Sequence, residues 1–504
     1  MGDFDIHIFD TYRENNRLEV KAANGGLPGS LWDSYSSLAN SYGGCIICGV
    51  KERPDGSWKT TGLQNLPKLK KDFWDTIHNK NKVSNCLITE ADTEEYTCHG
   101  DVIFVIRVPC ASRFQKPIFL NNDVFGNTWR RDHEGDYLCT PEEVKAMIRD
   151  SAQESLDNKV LEDRKISDFD KDSIRNYRIR YNTRHDGHPW THLSDEDFLI
   201  RIGAAREEKG EVFPTAAGLL MFGQEYIITT EFPEYFLDYR EKLDSSARWT
   251  DRVQSQSGDW SGNVFDFFSM VYPKITADFK KPFMTDGPYR VEETPKHLAV
   301  REAIANCLVN TDFYQKWGVV IEKYPEKIVL SNPGTILVGE PQMLKGGVSD
   351  PRNKNVLKMF NLIGIGERAG SGVPDIFEVW REEKLDAPVI EEQSGRDGKP
   401  NRTQVSLPLV NTSIGADSTT GEAESANSPI RQSSDLANNG EKLSNRQEQI
   451  LSVMETDKEY SSADIGNMIG LKVSRSRQLL KKLVEMGRLE STGSTNGKRY
   501  IKRS

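Results

Sequence analysis

Three polar side chains at helical spacing are the first candidates for chemistry in this sequence. Residues 300–312 (VREAIANCLVNTD) predict an amphipathic helix, on which Glu302, Asn306 and Asn310 recur every four positions. Residues four apart lie above one another on a helix, so one carboxylate and two carboxamides share a face. Such a column can hold a hydrated divalent cation, with Asn306 as a ligand, and polarise a water beside a triphosphate. The same pattern also fits a solvated helix face without chemistry.

The segments after this helix could complete a nucleotide site. Residues 319–331 predict two strands around a tight turn, and a second turn follows at 332–334 (NPG). Residues 364–372 (GIGERAGSG) are rich in glycine and have the backbone freedom to wrap phosphates. The candidate nucleotide-binding residues in these segments are Asn332, Gly334, Gly364, Gly366, Gly370 and Gly372.

This order of motifs resembles a GHKL-type ATP-binding fold, and more closely the divergent ATPase module of RecG-related proteins. The positions that match the family motifs are Arg301, Glu302, Asn306, Asp312, Asn332, Pro333, Gly334, Ser349, Arg352, Asn353, Glu367, Gly370 and Gly372. Asn310, Thr311 and Phe313 stand where the family has His, Arg and Tyr. The resemblance implies ATP with Mg²⁺ as a ligand, while these three changes argue against rapid hydrolysis. The sequence has no G-x-x-x-x-G-K-[ST] loop, so the resemblance does not extend to a helicase motor.

A second set of candidate catalytic residues lies near the N-terminus. Glu19 and Lys21 face the same way along a predicted strand over residues 17–22, with Glu14 before it and Glu52 after it. Three converging carboxylates can bind Mg²⁺ or Mn²⁺ and activate a water against a phosphodiester, and Lys21 would steady the phosphate. The alternative is an ion pair between Glu19 and Lys21 that has no catalytic role.

Residues 1–150 resemble the AlbA-like domain shared by Schlafen proteins and many bacterial regulators. The segments RLEVKAA, LANSYGGCIICGVKE, VPCASRFQKPIFL and GNTWRRDHEGDY carry this resemblance. The matching positions are Glu14, Glu19, Lys21, Ala39, Asn40, Gly43, Gly44, Gly49, Val50 and Glu52. In the ribonucleases of that family, carboxylates at the matching positions cut tRNA. The resemblance therefore implies a metal-dependent endoribonuclease role for Glu14, Glu19 and Glu52.

Nucleic-acid contacts are expected from local basic clusters, because the net charge of −10 excludes binding by the field of the whole molecule. A short strand over residues 128–131 predicts exposed Arg130 and Arg131, and Arg113 is a third candidate. Residues 441–504 contain 13 Lys and Arg against 8 Asp and Glu, and predict three helices followed by a hairpin, as in a winged helix-turn-helix. The candidate contacts there are Arg475, Arg477, Lys481, Lys482, Lys498 and Arg499. A protein-binding wing is the alternative interpretation.

The composition predicts a cytoplasmic, multidomain protein of mixed α/β and α+β class. No apolar run approaches the ~20 residues of a membrane span, and the acidic N-terminus does not resemble a secretory signal. Seven scattered cysteines suit a reducing compartment, and Cys45 and Cys48 fit a buried strand better than a zinc site. The predicted divisions are an AlbA-like domain at 1–150, a connecting region at 151–290, a GHKL-like α/β sandwich at 291–411, a flexible linker at 412–440 and a winged helix at 441–504.

Two functions fit these parts. The first is a nucleotide-regulated effector that cuts RNA, expected to be tRNA, in stress response or antiphage defence, with weak ATPase activity. The second is an ATP-binding transcriptional regulator that binds DNA without cleaving it. Relatives of this kind often form dimers or larger assemblies, so a homo-oligomer is expected in either case.

Overall fold

The computed structural model contains two compact units, residues 1–418 and residues 419–504. The described residues of the first unit are 4–244, 246–280, 285–286, 289–290, 293–366, 372–393, 395 and 401–411. Those of the second unit are 450, 454, 458–469, 476, 480, 483–484, 489–492 and 499–502. The predicted linker at 412–440 and Gly370 of the glycine-rich loop lie outside these ranges.

The N-terminal module is built on a four-stranded sheet in the order β1-β2-β6-β5, with two further hairpins. Its strands are β1 (Leu18–Lys21), β2 (Gly44–Cys48), β3 (Val50–Glu52), β4 (Trp58–Thr60), β5 (Thr93–Cys98), β6 (Asp101–Val108), β7 (Trp129–Asp132) and β8 (Gly135–Leu138). Its helices are α1 (Ser30–Asn40), α2 (Leu66–Ile77) and α3 (Pro141–Asp150). Cys45 and Cys48 are buried in β2, as the strand interpretation predicted.

Helix α3 begins where the sequence predicts and ends at the border of the next module. Thr140 accepts a hydrogen bond from the Glu143 amide at 3.2 Å, and the Glu143 carboxylate accepts one from the Thr140 amide at 2.8 Å. Pro141 occupies the first turn, where its missing N–H has no partner to lose. This reciprocal cap fixes the start of α3 and so defines the positions of Arg149 and Asp150 at its C-terminal end.

Residues 151–411 form the second module of the unit. Its strands are β9 (Ala205–Glu208), β10 (Glu211–Pro214), β11 (Leu237–Glu241), β12 (Asp251–Gln254), β13 (Thr285–Asp286), β14 (Tyr289–Arg290), β15 (Val319–Lys323), β16 (Lys327–Pro333), β17 (Val389–Gln393) and β18 (Arg402–Pro408). Its helices are α4 (Lys171–Arg184), α5 (Asp195–Ile202), α6 (Ala216–Phe222), α7 (Glu225–Glu231), α8 (Val264–Thr276), α9 (Pro295–Val309), α10 (Glu340–Lys345), α11 (Lys354–Leu362) and α12 (Gly372–Glu382).

The predicted boundary at residue 290 does not separate two cores. A six-stranded mixed sheet has the order β12-β11-β15-β16-β18-β17, and β11 pairs in parallel with β15 across that boundary. One hydrophobic cluster extends from Leu161 to Leu407 and includes α8, α9 and the inner face of this sheet. Residues 151–290 are therefore part of the same folded body as the predicted ATP-binding region.

Helix α9 differs from the amphipathic helix that the sequence predicts. Its apolar side chains are buried on several sides, among them Val300, Ala303, Ile304 and Leu308. The reason is that α8, α11, α12 and strand β16 all pack against it. Only a narrow strip of polar residues remains half-buried, so the polar column is partly covered rather than on an open surface.

The second unit is described in part. It contains α13 (Ser462–Ile469) and a three-stranded antiparallel sheet of β19 (Glu459–Tyr460), β20 (Glu490–Thr492) and β21 (Arg499–Ile501), in the order β19-β21-β20. Ile450 and Met454 are buried in its core, as predicted. Arg499 is exposed, 3.5 Å from the carboxylate of Asp464. The other predicted contacts, Arg475, Arg477, Lys481, Lys482 and Lys498, lie outside the described residues, and the winged helix stays a prediction.

Candidate functional site

The polar column predicted on α9 is present and internally hydrogen-bonded. The Asn306 amide donates to Glu302 Oε1 at 3.1 Å, and the Asn310 amide donates to the Asn306 carbonyl at 2.9 Å. Gly372, the first residue of α12, lies so close that a Cβ there would be 2.2 Å from Glu302 Oε1. Glycine at 372 therefore lets the end of the glycine-rich loop approach the carboxylate of the column.

The turns around this column have the backbone conformations that favour glycine. Gly364 and Gly366 have φ values of +77° and +76°, and Gly334 has a φ of +106°. Asn332 is buried in β16 and its amide donates to the Pro333 carbonyl at 3.3 Å. Asn332 thus shapes the turn, whereas Gly364 and Gly366 lie at the start of the loop that precedes α12, where the Gly364 amide donates to the Asn361 carbonyl at 3.0 Å.

Arg352, whose motif resembles one in the RecG-related family, is fully committed to protein contacts. It donates to both carboxylate oxygens of Asp150 at 2.8 Å, to the Asn310 carbonyl at 2.5 Å and to the Thr335 carbonyl at 3.2 Å. Gly334 makes room for it, since a Cβ there would lie 2.6 Å from Arg352 Nη1. Arg352 therefore connects the C-terminal end of α9 to the end of α3 in the N-terminal module.

Two more ion pairs lie between the same modules, and we call the three pairs together the seam. Arg149 donates to Asp312 at 2.7 Å, and Arg113 donates to Asp350 at 2.5 and 3.1 Å. Burial opposes ionisation of Asp312, but Arg352 and Arg149 hold the pKa of this carboxyl below its ordinary value. Arg113 is thus engaged in the seam by Asp350, and its contact with nucleic acid stays a prediction.

The N-terminal carboxylates are neighbours, and most of them are engaged. Glu14 Oε1 accepts from the Val20 amide at 2.9 Å, while Glu19 pairs with Lys21 at 2.6 Å and with Arg131 at 2.7 Å. Burial, together with the charges of Glu19 and Glu52, raises the pKa of Glu14 to about 7. The three carboxylates therefore share one electrostatic neighbourhood.

A metal does not fit this arrangement as it stands. Within the described ranges of both units, no three His, Cys, Asp or Glu side chains form a group that could hold a metal ion. Both oxygens of Glu19 are in ion pairs, Oε1 with Lys21 and Oε2 with Arg131. The prediction of a metal at Glu14, Glu19 and Glu52 is therefore not met by this geometry.

The predicted exposure of Arg130 and Arg131 on β7 is also wrong. Arg131 is 3% exposed and pairs with Glu19 and, at 2.8 Å, with Asp136. Arg130 is half-buried and lies 3.1 Å from Glu143. Two consecutive residues of a strand point to opposite faces, so both arginines could not have shared one exposed face. The partner that sequence reasoning missed is Asp136, which comes from the other strand of the same hairpin and also accepts hydrogen bonds from Ser34 and Ser37.

Comparison with known families covers two segments of the chain. Residues 317–396 match the family described as "Putative ATP-dependent DNA helicase recG C-terminal". This region therefore resembles the RecG C-terminal family. Residues 145–238 match a "Domain of unknown function (DUF8451)". Helix α9 lies between the two matches, so the polar column is outside both.

Other comparisons add little. No curated protein matches the chain. The DIP2311 protein from Corynebacterium diphtheriae is 15% identical over 96% of this chain and 91% of its own, with a TM-score of 0.40. The N-terminal domain of a "Putative ATP-dependent DNA Helicase RecG-related Protein" from Nitrosomonas europaea is 19% identical over 27% of this chain and 90% of its own, with a TM-score of 0.21. Both TM-scores are too low to indicate a fold or a function.

No helix among the described residues is both long enough and apolar enough to cross a bilayer.

Proposed function

We propose that this protein is a nucleic-acid effector regulated by ATP, in which the module around α9 binds the nucleotide and the N-terminal module responds. The observation that carries the proposal is Arg352, which holds the Asn310 carbonyl at the end of the polar column and the Asp150 carboxylate at the end of α3. A change at the column therefore has a short, buried route to the N-terminal module. The family match at 317–396 supports a nucleotide-binding role for this region.

The residues around the polar column are the ones that would hold ATP. Glu302 and Asn306 form the polar wall, and Gly372 lets the start of α12 approach Glu302 closely, whereas the Arg184 side chain occupies the space beside Gly364. ATP with Mg²⁺ would supply the binding energy that distinguishes the two states of the protein. Asn310 turns its amide back to the helix, so it supports the column rather than extending it toward a ligand.

The test is ATP affinity by calorimetry, measured on the full chain and on an Asn306→Ala variant. We expect the variant to lose roughly tenfold or more in affinity, since a polar group in a half-buried site contributes ~1–3 kcal/mol. Glu326→Ala, which changes an exposed residue in the β15–β16 turn, is the control and should bind ATP normally. Equal affinity of wild type and Asn306→Ala would place the nucleotide elsewhere or exclude it.

Regulation is tested separately from binding. Fluorescence anisotropy with labelled RNA and DNA, with and without ATP, should give different nucleic-acid affinities in the wild type. Asp150→Ala removes the carboxylate that Arg352 holds, so it should keep ATP binding and lose the effect of ATP on nucleic acid. An unchanged ATP effect in this variant would contradict the proposed route.

Cleavage of RNA is a second candidate, supported by one observation. Burial raises the pKa of Glu14, the charges of Glu19 and Glu52 raise it further, and perturbed carboxyl groups of this kind are often found at functional sites. Because Glu19 is in two ion pairs, the geometry favours binding without cleavage. The test for cleavage is to incubate the wild type and Glu14→Gln with total tRNA and Mg²⁺ or Mn²⁺. Discrete fragments that vanish in the variant would establish a nuclease. Intact tRNA would exclude one under these conditions.

A further inference from the structure

One face of the six-stranded sheet carries a basic surface that the proposed function has not used. Along β11, Leu237 and Tyr239 point to the helices and are buried, so Asp238 and Arg240 point to the opposite face. Strands β12, β15 and β16 continue this outer face by their register. We call the surface formed by Arg240, Lys242, Arg248, Trp249, Arg252, Tyr324 and Lys327 the basic sheet patch.

Two arginines lie directly opposite each other at the centre of the patch. Arg240 on β11 pairs in register with Arg252 on β12. Like charges in this position destabilise a sheet. Asp238, which is 0% exposed, accepts hydrogen bonds from Arg240 Nε at 2.7 Å and from Arg252 Nε at 2.8 Å, and so offsets the repulsion. The carboxylate lies beneath, while the arginine side chains keep 31% and 25% of their surface exposed.

Each aromatic ring of the patch makes cation–π contacts with two basic side chains. Lys242 and Lys327 lie 5.3 and 5.6 Å from the centre of the Tyr324 ring. Arg248 and Arg252 each lie 4.7 Å from the centre of the Trp249 ring. These contacts orient the cations without neutralising them.

Two anions of the patch, Asp238 and Glu322, are less exposed than its cations, whereas Asp244 and Glu326, which are close to Lys242 and Lys327 in the chain, are exposed. Glu322 accepts from Lys242 at 2.7 Å and lies 3.5 Å from Arg240, but its own side chain is largely covered. Together with the fully buried Asp238, it forms a lower layer of negative charge under an upper layer of positive charge. Above Asp238 and Glu322, the outermost charged groups of this sheet face are therefore the guanidinium and ammonium groups.

We propose that the basic sheet patch binds the phosphate backbone of single-stranded nucleic acid. This inference rests on the proposed function and assigns its nucleic-acid contact to a surface distinct from the N-terminal carboxylates. The patch spans four strands, or ~14 Å at the usual strand spacing, which suits a short stretch of one extended strand. Single strands bind to grooves and faces that combine cations with aromatic rings, whereas duplex grooves admit a helix or a two-stranded ribbon.

The experiment measures binding of a labelled 20-nucleotide oligo-U to the full chain by fluorescence anisotropy as a function of salt. The test variant is Arg248→Ala/Lys327→Ala, which removes one cation from each aromatic ring and leaves Asp238 with both of its partners. The matched control is Arg175→Ala/Lys209→Ala, which removes one exposed arginine and one exposed lysine from other surfaces. Circular dichroism and ATP affinity check that both variants are folded.

We expect the test variant to bind roughly five- to tenfold more weakly at 0.1 M salt and the control variant to bind like wild type. Each lost phosphate contact lowers the slope of log K against log salt by about 0.7, so the double variant should lose about 1.4. An equal loss in the control would show a general charge effect and overturn the proposal.

Two other results distinguish this inference from the proposed function. Wild-type-like binding by the test variant, together with a loss in Arg475→Ala/Arg477→Ala, would move the contact to the second unit and leave ATP-regulated nucleic-acid binding intact. If wild-type protein binds ATP but neither this oligonucleotide nor the RNA and DNA used above, both the patch and the nucleic-acid part of the proposed function fall, while the nucleotide site stands.

Discussion

Replacing Asp150 with alanine tests the seam most directly. The Asp150 and Arg352 side chains are only 12% and 9% exposed, and two hydrogen bonds of 2.8 Å join them. Removing one partner of a buried ion pair costs about 3–5 kcal/mol, because the remaining charge stays away from water. Asp312 also acts on Arg352, so we expect the lower end of that range, about 3 kcal/mol.

The assay is thermal unfolding of the full chain, followed by circular dichroism. Residues 1–418 form one compact unit, and an unfolding entropy of about 2.1 cal/mol/K per residue gives roughly 0.9 kcal/mol/K for it. A loss of about 3 kcal/mol therefore lowers the Tm of this unit by about 3–4 °C. Asp172→Ala is the control: it breaks an exposed pair with Arg175 and should change the Tm by less than about 1 °C.

A double-mutant cycle decides whether the loss belongs to this ion pair. In the Asp150→Ala background, Arg352→Met removes the stranded charge as well, so its further cost should be smaller than its cost in the wild type. We expect a coupling of at least about 1.5 kcal/mol between the two positions. Additive losses would refute the reasoning, since they would mean that Asp150 and Arg352 stabilise the protein through separate contacts.

Three further predictions concern other parts of the site. The pKa of Glu14 in the folded protein is about 7, above the ordinary value of 4.5, so its contribution to stability is complete below about pH 4.5 and is lost as the pH rises through 7. Glu14→Gln should remove this loss of stability. Parallel Tm–pH profiles of the variant and the wild type would contradict the prediction. Gly334→Ala should lower the Tm more than Gly339→Ala, since both glycines have positive φ but only Gly334 contacts Arg352; equal losses would mean that backbone strain alone matters. Glu302→Gln should weaken ATP binding measured by calorimetry in the presence of Mg²⁺, and unchanged affinity would remove the carboxylate from the site.

Local sequence signals predicted the elements of this fold well. Thr140 and Pro141 marked the start of α3, and the turn after residue 323 separated β15 from β16 at the expected place. Such signals depend on neighbours in the chain, so they can be recognised in one sequence. The parallel pairing of β11 with β15 is different, because it joins residues far apart in sequence. Nothing local to residues 237–241 indicates that partner, so the sequence alone predicts a connecting region there.

The errors at the candidate sites have a similar cause. A run such as Trp129-Arg130-Arg131-Asp132 predicts exposed charge as long as no buried partner is known. The structure supplies those partners from distant elements: Glu19 from β1, and Asp136 from the neighbouring strand. The partner of Arg113 is likewise distant in sequence, because Asp350 belongs to another module. Ion-pair partners of this kind follow from tertiary structure and cannot be derived from residue type.

The polar column and the seam together constrain how a nucleotide could act on nucleic acid. Arg352 contacts the end of α9 and the end of α3 at once, so any displacement of the Asn310 carbonyl changes a buried ion pair rather than a solvated one. Buried pairs respond strongly to small changes in distance, because little water screens them. Binding linkage also works in both directions: if ATP changes the affinity for nucleic acid by some factor, nucleic acid must change the affinity for ATP by the same factor. A one-way effect between these two equilibria would therefore indicate that the two ligands do not act through a common change in this protein.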